Sequence, residues 1–159
     1  MGRVCTNAWP RNRGRLASKR RERGRRPTGR PMKHDYSIDE NRRFVHVQMS
    51  GPITFAQVRQ LVGELAADPR VLPGFGELID LRDATTDSIS GDDVRQLAMG
   101  TLDASTRRAF VTSDILTYGL ARMFEIYRQL HRKPDTIAVF RRLDEAEAWL
   151  SGVHRRNDQ

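Results

Sequence analysis

The chain has 159 residues, 38% of them hydrophobic and 30% charged, which is enough for one domain with a real core and too little for two ordinary ones. Residues 1–33 hold 12 of the 28 Lys and Arg and one of the 20 acids, so this stretch carries +11 and the remainder −3. The single cysteine, Cys5, excludes a framework of internal disulfides, and no apolar run approaches the ~20 residues of a membrane-spanning helix.

The chain opens on a basic leader, "RNRGRLASKRRERGRRPTGRP", which has almost nothing to bury and is expected to be disordered over residues 1–33. It lacks the apolar segment of a secretory signal, which argues for a soluble cytoplasmic protein. Three readings of it stay open. It is a solvated tail, a polybasic arm that attracts nucleic acid or an anionic surface, or translated sequence upstream of a true start at Met32. Trp9 is its only aromatic residue, so base stacking is poorly supported.

The patterned region, residues 34–153, begins with Tyr36 and Ile38 alternating with polar neighbours, a polar turn "DENRR", and the run "FVHVQMS". Period-two alternation places Val45, Val47 and Met49 on one side, and the two runs predict a β-hairpin. "GPITFAQVRQLVGELAADP" carries a helix with both ends marked. Thr54 and Gln57 form a capping box, Ile53 and Val58 a hydrophobic staple, and Pro69 follows the last turn. "ELIDLRD" predicts a short strand, and "SISGDDVRQLAM" a helix capped by Ser90 with Asp92 and Asp93 in its first turn. "RRAFVTS" is another strand. The helix from about Asp114 to His131 must bury Leu116, Leu120, Met123, Phe124 and Tyr127, with Ser113 and Asp114 as its caps. "DTIAVFRR" predicts a strand buried on both faces, and Leu143 opens a last helix carrying Trp149 and Leu150; residues 154–159 are a polar tail. A hairpin followed by strand–helix units predicts an α/β fold with a mixed, mainly parallel sheet of about five strands.

"GPITFAQVRQLV", "GFGELIDLRD", "AFVTSDILTYGLARMFE" and "IAVFRRLDEAEAWL" resemble the SpoIIAA-like branch of the STAS/SEC14 domains over about residues 36–151. The resemblance implies a five-stranded sheet with helices on both faces. It also implies a non-catalytic binding or regulatory module that acts through a protein partner or a small amphipathic ligand. Better-known relatives are anti-sigma-factor antagonists switched by phosphorylation of a serine at a helix start. Their motif, Asp-Leu-Ser followed by Asp-Ser-Ser-Gly, is met here by Asp80-Leu81-Arg82 and by Asp87-Ser88-Ile89-Ser90-Gly91, with an isoleucine inside the serine pair. Ser90 is the nearest match to the switch serine. Its acidic neighbours oppose a phosphate, so a plain N-cap is expected.

Little in the chain points to catalysis. His34, His46, His131 and His154 are scattered, and no Cys, His or acid cluster has ligand spacing, so no metal is expected. Gly74-Phe75-Gly76 precedes its strand, whereas a dinucleotide fingerprint follows one, and no other cofactor motif is present. In open α/β sheets ligands sit beyond the carboxyl ends of strands. That rule nominates Asp80, Arg82 and Asp83 at one strand end and Thr112 and Ser113 at another, with Tyr118 and Arg122 four apart on the following helix. The expectation is a ligand or partner pocket there rather than an enzyme. The alternatives are an enzyme using the strand-end acids, and nucleic-acid or anionic-surface binding through the leader.

Overall fold

The computed structural model describes residues 33–100, 106–131 and 137–152; the leader apart from Lys33, the tail and residue 153 lie outside these. Two strands, β1 (Lys33–Asp39) and β2 (Phe44–Pro52), form the expected antiparallel hairpin. Helix α1 (Phe55–Ala67) leads to β3 (Gly76–Thr85), α2 (Gly91–Met99) to β4 (Arg108–Val111), and α3 (Ile115–His131) to β5 (Ile137–Phe140). Helix α4 (Leu143–Leu150) closes the fold. The sheet order is β1-β2-β3-β4-β5, and every pairing after the hairpin is parallel.

This order explains where the helices lie. Each crossover moves one strand along in the same direction, and crossovers of one hand then deliver their helices to the same face. Val45, Val47 and Met49 of β2 pack with Leu61 and Leu65 of α1, while Phe110 of β4 packs with α2 and α3. The opposite parity, Phe44, Leu78, Ala109 and Val111, packs under Ala146, Trp149 and Leu150 of α4. Helices thus cover both faces, three on one and α4 alone on the other.

The helix starts follow the sequence rules. Thr54 and Gln57 complete a capping box at α1, and Ile53 with Val58 lies in the core beside it. At α2 the Asp93 amide donates to Ser90 Oγ (3.2 Å) and the Ser90 amide donates to Asp93 Oδ2 (2.9 Å). Ser90 is therefore the N-cap, exposed and engaged. Ser90→Ala is expected to lower stability by about 1 kcal/mol, read as a shift of the urea midpoint at unchanged slope.

Four sequence expectations need correction. The "ELIDLRD" strand does not end at Asp83 but runs on to Thr85, with Asp83, Ala84 and Thr85 paired to Ser50, Gly51 and Pro52. The register shifts between Gln48 and Ser50, where two steps on β2 face three on β3. This β-bulge lets Leu81 and Ala84, which plain alternation would send to opposite faces, enter one core. Strand β5 carries a helix on each face, with Ile137 toward α3 and Phe140 toward α4, but it is not fully buried. It is an edge strand whose Ala138, Val139 and Phe140 are half-buried, because its one neighbour is β4. In α3 the buried residues are Thr117, Ala121, Phe124, Glu125 and Arg128, and Leu116 is 47% exposed. Finally, the hydroxyl of Ser113 does not cap α3, because it donates to the Arg82 carbonyl instead (2.7 Å), leaving the cap to Asp114.

Candidate functional site

Of the nominated strand-end residues, Asp80, Arg82 and Ser113 are brought together, through side-chain and backbone hydrogen bonds. Asp80 is 2% exposed. Arg82 holds its carboxylate with three bonds, Nε to Oδ1 (2.9 Å), Nη2 to Oδ2 (2.7 Å) and the backbone N–H to Oδ1 (3.1 Å). Burial pushes the Asp80 carboxyl up, but these side-chain and backbone hydrogen bonds outweigh it and leave it below the ordinary carboxylate range. Arg82 sits in the bulge, where an extra residue leaves ladder groups unpaired. Its amide is met by Asp80 and its carbonyl by Ser113. Asp80, Arg82 and Ser113 therefore brace the bulge and fasten β3 to the start of α3.

The other nominated residues go separate ways. Asp83 is an exposed residue within the strand. Thr112 is fully buried; its amide bonds the Phe140 carbonyl and its hydroxyl has no partner among the described residues. Tyr118 and Arg122 have different partners. The Tyr118 ring lies under the Arg141 guanidinium, 4.1 Å from the centroid, and the same Arg141 donates to the carbonyls of Ser113 (2.8 Å) and Asp114 (3.3 Å). Arg122 is ion-paired with Glu125, one turn on. Arg141 was not nominated from sequence. The tandem Arg141-Arg142 between β5 and α4 was its one visible sign.

The larger feature lies inside the helix-rich face. Helices α2 and α3 pack on one another while α1 stands apart from them. The core under α1 and the core under α2 and α3 share only half-buried Ile89 and Phe110. The seam between them is a pocket of about 140 Å³ that is partly open to the outside. Ile79 and Phe110 floor it from the sheet, Leu61 and Leu65 wall it from α1, and Ala121 and Phe124 from α3. Phe110 and Phe124 meet edge to face across its floor, with ring centroids 5.5 Å apart.

Its lining is apolar except at two places. Thr86 and Thr117 stand near the carboxyl ends of the strands, with their hydroxyl oxygens 3.0 Å apart. Glu77 and Arg108 stand near the amino ends, where Arg108 Nε donates to Glu77 Oε2 (2.7 Å) and Nη2 to Oε1 (3.3 Å). An apolar space of this size has a well-defined chemistry. A closed cavity of roughly 150 Å³ lined by Leu, Ile and Phe admits one benzene ring or a xenon atom.

No family model matches the sequence, and no curated protein matches it. Among solved structures, the chain is similar to the crystal structure of an uncharacterized protein from the DUF3478 family with a SpoIIAA-like fold from Shewanella loihica. The two are 17% identical, the match covers 75% of this chain and 93% of that one, and the TM-score is 0.47. No helix among the described residues is long and apolar enough to cross a membrane.

Proposed function

We propose that this chain is a non-catalytic binding module whose ligand is a small, largely apolar molecule held between the sheet and helices α1 and α3. The observation that carries the reading is the 140 Å³ cavity with its apolar lining. Interiors are close-packed, and a void forfeits the dispersion contacts of every side chain around it. A ligand restores those contacts and stabilises the fold by mass action. In this reading the strand-end residues Asp80, Arg82 and Ser113 serve the site indirectly. They hold the bulge that turns Leu81 into the cavity wall.

Toluene is the probe of choice, because it is apolar and close to the size of the space. Calorimetry should give saturable binding with one site per chain. Ala121 is 6% exposed and lines the cavity, so Ala121→Leu should fill part of the space. We expect it to weaken toluene at least about tenfold while costing the unliganded chain less than the ~1–3 kcal/mol of overpacking a filled core. Unchanged toluene affinity in this variant would sink the reading.

A protein partner is the second reading, and the outer surface of α3 favours it. Ile115, Ile126 and Leu130 are 83%, 50% and 71% exposed and fall on one side of the helix. Contact with nucleic acid or an anionic surface through the Arg-rich leader is a separate proposal that rests on charge alone.

A further inference from the structure

Helix α3 buries Thr117, Ala121, Phe124, Glu125 and Arg128. At ~100° per residue, Ile115, Gly119, Ile126 and Leu130 fall on the opposite side of the helix. The three large apolar side chains of that line are exposed among the described residues. Single exposed apolar residues need no explanation, but a contiguous exposed stripe marks a place of contact.

Gly119 is an independent sign of the same contact. It lies in the interior of the helix, where glycine is less favourable than alanine. A Cβ added there would meet nothing within 4 Å, so no packing among the described residues requires the glycine. Gly63 of α1 is as open, but its neighbours on the helix surface are Arg59, Gln60, Ala66 and Ala67 rather than large apolar residues. Between Ile115 and Ile126, a missing Cβ makes a recess that suits the close approach of another helix.

The spacing indicates which helix. In an antiparallel pair of α3 helices centred between Arg122 and Met123, Ile115 lies opposite the partner's Leu130. Gly119 lies opposite the partner's Ile126, which enters the recess. Such a patch is complementary to itself, as a twofold contact demands. The half-exposed Arg122 is ion-paired with Glu125. Near the twofold axis this pair meets its own copy, and the two cations and two carboxylates carry no net charge.

We infer that α3 docks antiparallel on α3 of a second copy of this chain, through Ile115, Gly119, Ile126 and Leu130. The inference names the partner in the protein-partner reading and does not depend on the pocket, which α3 lines with Ala121 and Phe124 from its buried side. One face of a helix about 25 Å long is small beside the ~800 Å² per partner of a standard interface. The dimer is therefore reversible and builds up with concentration.

Sedimentation equilibrium of the full chain over a wide concentration range tests this. The parent should pass from monomer to dimer and stop there, because a closed twofold contact leaves no stripe free. Ile126→Glu sets a charge into the recess and should weaken dimerisation at least about tenfold. Gly119→Ala should act in opposite directions on fold and contact. It favours the helix, so the urea midpoint of the monomer rises, while its methyl group fills the recess and weakens the dimer. Toluene calorimetry on Ile126→Glu should match the parent, so the pocket reading stands or falls separately. A parent that stays monomeric at every concentration would overturn the inference and leave the stripe to another occupant, such as the basic leader or an unrelated protein. A dimer unaffected by both variants would overturn it as well, by placing the contact elsewhere on the chain.

Discussion

Phe124→Ala is expected to cost about 3–5 kcal/mol of unfolding free energy. Phe124 is 8% exposed, packs edge to face on Phe110, and lies in the core formed by α2, α3 and β5. Truncation removes the transfer energy of the ring and also leaves a void, and here the void merges with space that is already empty. The surrounding helices cannot collapse into it easily, because α1 is held off on the far side by its own core around Val45, Val47 and Met49. The loss should therefore fall toward the upper end of the range, with the urea midpoint lowered and the slope unchanged. The enlarged space should also admit a two-ring ligand that the parent rejects. A loss below about 1 kcal/mol, far under the range for a buried phenylalanine, would show that this region is not packed as described.

A comparable loss is expected from Arg108→Ala, for an electrostatic reason. The Arg108 side chain is 3% exposed and that of Glu77 16%, and their bond is bidentate. Removing the cation strands a carboxylate in an apolar wall, and breaking such a buried pair typically costs about 3–5 kcal/mol. The pair itself need not be stabilising, since its desolvation offsets its attraction. The double variant Arg108→Met with Glu77→Leu should therefore recover most of the loss. Chemical denaturation of the parent, the single and the double variant reads this directly. A double variant as unstable as the single one would mean that Arg108 acts through packing or through its other contacts, not through Glu77.

Local rules were legible wherever the signal is local. The capping boxes at Thr54 and Ser90 and the hairpin of Tyr36, Ile38, Val45 and Val47 depend on residues within a few positions of each other, and each forms as its pattern requires. The alternation of strands and helices likewise fixes a mainly parallel sheet. What could not be read depends on distant partners. The apolar residues of α3 run round more than one side, so spacing alone does not choose the buried line. The choice falls to α2, whose Ala98 carbonyl accepts from Arg128 and draws that side of α3 inward, leaving Ile115 and Leu116 in solvent. "IAVF" reads as a central strand because a short apolar run says nothing about how many neighbours it has. The bulge breaks period-two alternation at Arg82, and the signal for it, an Asp two residues ahead of an Arg, reads equally well as an ordinary ion pair.

The nominated site shows the same division. The sequence reading nominated Asp80, Arg82 and Ser113, and the fold brings them together, because all three stand where β3 meets the start of α3. It gives Tyr118 and Arg122 different partners, Arg141 for the tyrosine and Glu125 for the arginine. The cavity has no local signature at all. It is a mismatch between cores contributed by α1, by α2 and α3, and by the sheet, and no single stretch of chain encodes it.

The central claim is that this mismatch is a binding site, and xenon tests it most directly. A crystal of the full chain under xenon pressure should show one well-occupied atom between Leu61, Phe110, Ala121 and Phe124, as expected of an apolar pocket of this size. Xenon absent from that position, or side chains found collapsed into it, would contradict the account.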